Sequence, residues 1–418
     1  MTHWLRPQNL RNITFFLLLL YSLVQCISIA AANYTLGVCV FFSLLYGSSN
    51  KEEVKKNFAT YKTYFFVAGV LFGSLLISAL FAGTLPESLK VWFFRYAYRF
   101  APFVIVTLLF PKSKYVLPVI FLTISSCIVT SVGGIILADE SQGWRVKGFF
   151  GHPMTLAGFL CCVLPIVFAW LLLSIKEKKI SWFCLGSFLF LCTTLLLNET
   201  RGAWIACIAS FLFITVWFAI QNKKVAIVSL LLVVFLGIAI SASDRFSQRA
   251  LSITSTTLVS NTERLLMWKS ASQMFLDHPL TGVGLGNYKS QYQGKYISPE
   301  AKEKKQEHAH SNIFQMLGEN GLVGLLGYLT FFLFILVKSL IGAFKGGAFY
   351  SAIVFSITLA VFLQGLTEFN FGNSAVIRCY WVLLATFLVL ENSQKEYFLH
   401  SFKFGELKKL FCMRLINR

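Results

Sequence analysis

Apolar runs of membrane-crossing length recur from one end of the chain to the other, and nothing else in the sequence restricts its fold so strongly. Twelve such segments lie at about 13–31, 33–47, 61–83, 98–111, 115–137, 153–174, 180–198, 202–220, 223–242, 312–337, 347–366 and 374–391. In a bilayer every backbone polar group needs an internal partner, so runs of about 20 apolar residues become helices. Only 13% of the 418 residues are charged, against about 25% in a soluble domain. The expected fold is all-α: a polytopic membrane protein with about 12 transmembrane helices and one large outer loop that itself contains helices. The first run, Ile13 to Ala31, is too long for the core of a signal peptide and reads as a retained first helix.

The net charge of +19 fits loop charges that set orientation rather than a nucleic-acid surface. With the N-terminus (Arg6, Arg11) inside, alternate short loops are basic: Lys51, Lys55, Lys56 and Lys62; Lys112 and Lys114; Lys176, Lys178 and Lys179; Lys223 and Lys224; Lys338 and Lys345. An even number of spans then puts both termini in the cytoplasm. The chain divides into residues 1–241 (helices one to nine), 242–311 (the large outer loop), 312–391 (helices ten to twelve) and 392–418 (a basic cytoplasmic tail). Nine of the ten cysteines lie in apolar segments and Cys412 in the tail, with no CxxC. That pattern predicts neither a disulfide framework nor a thiolate metal site.

The long outer loop is far beyond ordinary connection length, which marks a functional element. Ser260-Asn-Thr-Glu263 fits a capping box. Leu265, Trp268, Ser272 and Phe275 then fall near one helical face, and Asp277-His278-Pro279 ends the helix. Pro86 to Arg99 alternates aromatics with Lys90, Arg95 and Arg99 and reads as an interfacial amphipathic helix. It is either a headgroup-level anchor or a landing strip for an anionic lipid.

Three arginines stand on the side that the charge rule disfavours. Arg201 follows Asn198-Glu199-Thr200, Arg264 opens the loop helix, and Arg145, with Lys147, precedes the sixth span. A boundary cation can simply snorkel. Several guanidinium forks converging on one point would instead clamp a diphosphate. A second constellation is His308-Ala-His310-Ser-Asn followed by Gly318-Glu319-Asn-Gly321 and Gly324. His-x-His invites a metal, to which Glu307 or Glu319 would have to add ligands. The other readings are a proton acceptor at the membrane surface and a hydrogen-bonded boundary histidine. Gly282-Val-Gly-Leu-Gly286 follows no buried strand, so it reads as a turn that brings backbone close to a ligand rather than a nucleotide loop. The lack of a P-loop weighs against an ATP-driven pump.

These stretches together resemble the O-antigen ligase and polymerase family of bacterial envelope enzymes. The resemblance rests on Arg145-Val-Lys-Gly148 through His152-Pro153, on Thr200-Arg201-Gly202, on Glu263-Arg264 through Trp268 with Pro279 to Gly284, and on His310-Ser311 with Gly321 and Gly324. The last follows the ligase pattern of His, then Asn, Ser or Gln, nine residues, Gly, two residues and a small residue. Ser311 stands where Asn is frequent. The resemblance implies a metal-independent glycosyltransferase in the bacterial inner membrane, with a periplasmic active site and no cofactor. It implies a glycan donor on undecaprenyl diphosphate and lipid A–core as acceptor, the step that completes lipopolysaccharide biosynthesis. By the same resemblance His310 is catalytic and Arg201, Arg264 and Arg145 bind diphosphate, while Lys147, His308 and Glu319 are possible supports. A polymerase of the same family, and a transporter of lipid-linked glycan, remain the alternatives.

Overall fold

The computed structural model describes residues 6–139, 143–175, 178–253 and 259–400, without the side chains of Lys178, Lys179 and 395–400. Lys176, the tail residues beyond 400 and the side chain of Lys395 therefore lie outside the described residues, as do residues 254–258. Among the described residues all regular structure is helical. In chain order the helices are α1 (Pro7–Val24), α2 (Ile29–Ser49), α3 (Lys51–Leu80), α4 (Leu85–Val91), α5 (Ala101–Leu109), α6 (Ser113–Ile136), α7 (Pro153–Leu173), α8 (Lys178–Asn198), α9 (Arg201–Gln221) and α10 (Lys223–Ser241). They continue with α11 (Asp244–Leu251), α12 (Val259–Asp277), α13 (Tyr288–Gln291), α14 (Asn312–Lys345), α15 (Phe349–Gln364) and α16 (Ser374–His400).

Nine of these helices are long and apolar enough to cross a membrane, and α15 is a shorter apolar helix. Apolar residues surround such helices on all sides, so packing rather than amphipathicity decides what is inside. The apolar window of α7 is 89% buried and that of α16 94%, against 11% for α10. Thus α7 and α16 form the centre, and α10 lies at the edge. Close approach comes from small residues, as at Gly158 against Val376 and Gly327 against Ser74, the usual means of packing helices where lipid removes the hydrophobic drive. The outward faces carry large apolar side chains such as Phe66, Trp182 and Leu231.

Three local expectations change. The first helix is α1, starting at Pro7 and ending at Val24 rather than running from Ile13 to Ala31; Ser28 breaks the run by capping α2 through the Ala31 amide. The segment Pro86 to Arg99 runs on into the following helix rather than standing as a separate element. After α4 the backbone widens into a π-turn over Trp92–Ala97, tightens over Tyr98–Phe100 and enters α5. Trp92 and Phe100 pack along α3, the Trp92 indole donating to the Phe72 carbonyl at 2.9 Å and Phe72 and Phe100 meeting at 5.1 Å, while Phe93 and Phe94 are exposed. The capping box at Ser260 does not form, because α12 already starts at Val259. The Glu263 carboxylate instead accepts from the Lys302 and Glu303 amides at 3.0 and 3.2 Å. The buried face of α12 is Leu266, Met267, Ser270, Ala271 and Met274, and Leu265 is exposed. The predicted end at Asp277 stands.

The device that positions the site is a break in α14. Gly321 has φ 62° and ψ −161°, a conformation open essentially to glycine alone. The amides freed by the break are satisfied elsewhere, as buried backbone groups require. Leu322 donates to the Pro279 carbonyl at 2.9 Å and Val323 to that of Leu280 at 3.1 Å. In return Val283 and Gly284 donate to the carbonyls of Gly318 and Glu319, both at 3.0 Å. The glycines of 282–286, with φ from 65° to 93°, therefore let backbone approach backbone rather than a ligand.

Candidate functional site

His310 sits at the turn into α14 with φ 48°, a left-handed conformation that a histidine adopts only where its surroundings impose it. The restraints are identifiable. Asn312 donates from its backbone to the Gly365 carbonyl at 2.7 Å and from its side chain to Asn370 Oδ1 at 2.7 Å, and its own Oδ1 accepts from the Phe371 amide. The 365–371 loop is thereby locked to the start of α14. On the other side Ala309 donates to Gln315 Oε1 at 2.7 Å and accepts from the Trp268 indole at 3.0 Å, with Trp268 stacked on Phe314.

The locked loop delivers Glu368. Its Oε2 lies 3.1 Å from His310 Nδ1, and His310 Nε2 lies 3.3 Å from Gln306 Oε1. A carboxylate facing Nδ1 assigns the ring proton there, leaving the Nε2 lone pair as the basic position. Gln306 keeps its own amide nitrogen on Glu303 Oε2 at 2.8 Å, so its Oε1 faces Nε2 as an acceptor that suits the ring once Nε2 has taken a proton. Glu368 is 9% exposed. Burial alone would raise its pKa, but the His310 hydrogen bond and the charges of His310, His308 and Arg264 outweigh it and hold the carboxyl at about 2. Burial, with His310 next to it, lowers His308 to about 4. His152, which caps α7, is lowered mainly by burial and also senses Glu368 and His310.

Arg264 reaches this pair, and Arg145, Arg201 and Arg249 are grouped with it. Arg264 has a buried Nε without a partner. Burial lowers it below the ordinary arginine range, opposed by the Glu368 charge. Arg145 donates twice to the Asn198 carbonyl, both at 3.1 Å, and is lowered by burial and by Arg249. Arg201 is 8% exposed and its fork is occupied, donating to the Ser252 carbonyl at 2.5 Å and to Asn261 Oδ1 at 2.6 Å. Arg249 completes the group and donates to the Glu199 carbonyl at 3.1 Å. The charges of Arg249, Arg264 and Arg145 all act on Arg201. Among these four, Arg264 is the one with an unspent buried donor, and Arg201 ties α9 to the end of α11 and the start of α12.

The supporting residues separate. His308 packs on His310, ring centroids 4.2 Å apart, and its Nδ1 accepts from the His310 amide at 3.3 Å. Glu319 bonds the Gly286 amide at 2.8 Å and the Gln315 amide nitrogen at 3.0 Å, with Arg95 at 3.7 Å. It holds the scaffold of His310, with the imidazole bonded to Glu368 and Gln306 instead. Lys147 shares the half-buried loop of Arg145. Glu307 pairs with Lys289 at 2.5 Å. The ligand atoms of His308, His310 and Glu368 all lie within 4.8 Å of one another, a donor set that could hold a divalent ion. Sequence reasoning missed Glu368 and Arg249. Neither carries a local signal, since Glu368 lies between α15 and α16 and Arg249 is one of several charges in α11.

Residues 186–329 match the family model O-antigen ligase. That stretch of O-antigen ligase similarity runs from α8 into α14, so it takes in Arg201, Arg249, Arg264 and His310, while Arg145 and Glu368 lie outside it. The match supports an O-antigen ligase-like or polymerase function and a glycosyltransferase-like activity. No curated protein matches the chain.

Proposed function

We propose that this protein is an O-antigen ligase-like glycosyltransferase that moves a glycan from undecaprenyl diphosphate to lipid A–core on the periplasmic face of the inner membrane. The observation that carries the reading is the contact of His310 with Glu368 beside the unspent donor of Arg264. The acceptor hydroxyl attacks the anomeric carbon of the donor sugar. Its proton passes to His310 Nε2 as the new glycosidic bond forms, a contribution of about 10²–10⁴-fold in such catalysis. The bond from the anomeric carbon to the diphosphate oxygen breaks, and the electron pair leaves on the diphosphate. Diphosphate is already a good leaving group, so the site has to stabilise negative charge rather than protonate it. Fixed guanidinium groups in a low-dielectric cleft do that. Glu368 orients the imidazole and stabilises its protonated form, as the carboxylate does in Ser-His-Asp sites.

Purified protein with lipid-linked donor and lipid A–core acceptor tests the reading. Donor consumption with glycan appearing on the acceptor is expected, whereas donor moved across a vesicle membrane without cleavage would mean a transporter. In cells lacking the gene, core-only lipopolysaccharide with accumulated lipid-linked polymer is expected of a ligase. Core carrying a single repeat unit would mean a polymerase.

A further inference from the structure

A second group of arginines stands apart from the first. Arg95 lies in the π-turn, Arg99 just after it and Arg378 one turn into α16. The charges of Arg95 and Arg378 both reach Arg99. Arg378 is 1% exposed. Its Nε donates to the Ser374 carbonyl at 2.8 Å and its Nη1 to Asn33 Oδ1, while Nη2 is buried without a hydrogen-bond partner. Arg99 donates to the Gly372 carbonyl at 2.6 Å. Arg95 has Glu319 at 3.7 Å and a side chain 32% exposed.

The charges do not balance. Three guanidinium groups meet one carboxylate in these contacts, and Glu319 already accepts from Gly286 and Gln315. The remaining acceptors, Ser374, Asn33 and Gly372, are neutral. A buried charge normally has a counter-charge, because removing it from water is costly. Charges inside membrane-embedded helices are retained for function more often than not. Position then suggests the ligand. Arg99 holds Gly372, a few residues from Glu368, and the Arg95 charge acts on His308 and Glu307, whereas the Arg264 charge acts on Glu368. The two arginine groups thus approach the His310–Glu368 pair through different neighbours. If the first takes the diphosphate of the donor, the second is free for an anion on the other substrate.

We propose that Arg95, Arg99 and Arg378 form a second anion site, which binds a phosphate of the lipid acceptor and so holds its sugar against His310. This inference rests on the transferase reading above. Arg99 and the partly exposed Arg95 make the contact, and the sealed Arg378 contributes its charge from behind.

The test measures acceptor KM, kcat and donor affinity on reconstituted full-length protein. The acceptor is core lipopolysaccharide before and after enzymatic removal of its phosphates. Wild type should favour the phosphorylated form. Arg99→Gln should raise KM for that form by about tenfold or more, the usual worth of one charge-assisted contact. It should leave donor affinity and the KM for dephosphorylated acceptor in place, and Arg99→Lys should recover part of the loss. Arg378→Gln should behave alike, and if it does not accumulate, the Arg99 variants carry the test. Equal use of both acceptors by wild type, an equal loss on both in Arg99→Gln, or lost donor binding would each overturn the proposal. So would a dependence on phosphatidylglycerol over phosphatidylcholine vesicles that vanishes in Arg99→Gln while acceptor KM stays unchanged; the site would then hold bulk lipid. Failure of donor turnover with every acceptor would instead count against the transferase reading itself.

Discussion

His310 Nδ1 lies 3.1 Å from Glu368 Oε2, although 58 positions separate the two residues in the chain. The contact sets the tautomer of the imidazole and joins it electrostatically to Arg264. Glu368→Gln should therefore lower kcat by about 10²-fold, the lower range of acid–base effects, with acceptor KM little changed. Because Glu368 acts through His310, the pH–rate profile is the informative readout: the glutamine variant should lose the acid limb of wild type in its original position, and Glu368→Asp should restore part of the rate. An unchanged profile with a uniformly lower yield of folded protein would make Glu368 merely structural.

Of the two histidines, His310 should be the essential one. His310→Ala should lose transfer by at least about 10²-fold and still bind the lipid diphosphate, since the arginines stay in place. His308→Ala should keep most activity, because its ring only packs on His310 and accepts from its amide, and the Glu368 contact that orients the imidazole does not involve it. Donor binding and transfer, assayed in parallel at matched expression, decide this. Normal transfer by His310→Ala removes the general-base assignment.

Arg264→Ala and Arg201→Ala should each reduce transfer by about 10²–10³-fold, the range for deleting a donor to developing charge, by different routes. Arg264 carries the unspent Nε, so its loss should weaken donor binding directly. Arg201 holds Ser252 and Asn261, so its loss should also loosen α11 and α12, visible as faster hydrogen exchange there. Lysine should rescue either poorly, because a point charge does not reproduce the fork. Full activity of either alanine variant at normal abundance would take that arginine out of the site.

The pH dependence of stability has two windows. The folded pKa of His308, lowered to about 4, lies below its unfolded value, so the folded state binds fewer protons and stability rises with pH. That contribution is complete above the unfolded value near 6.5 and is lost as pH falls through about 4. Glu368, at about 2 against 4.5, adds stability present above 4.5 and lost as pH falls through about 2. Thermal unfolding in detergent between pH 7 and 4 should show a falling midpoint, with a shallower slope for His308→Asn. Identical slopes would mean that His308 does not carry the effect.

Transfer should persist in EDTA, since the His310 Nδ1 that a metal shared with Glu368 would occupy is the nitrogen whose proton is bonded to that carboxylate. Activity lost to chelator and restored by one divalent ion would turn the His308–His310–Glu368 cluster into a metal site.

The sequence by its own patterning settles the all-helical membrane class, because runs such as Pro153–Leu173 and Arg201–Gln221 leave the backbone no other way to satisfy itself in lipid. It also marks Arg201, Arg264 and His310, since each is a charged or titratable group beside an apolar run, visible locally. Gly321 is legible as a motif position, but its role as the break in α14 follows only from the backbone of 279–284 that docks there. Glu368 and Arg249 become meaningful only in three dimensions. Nothing near either residue in the chain distinguishes it from a solvated charge, and each meets its partner through helix packing across long sequence separations. The alternation of aromatic and basic residues in Pro86–Arg99 does not by itself show that Trp92 and Phe100 pack on α3 or that the segment runs on into α5. Tertiary contact supplies that, because it alone determines which side chains of a helix meet another helix.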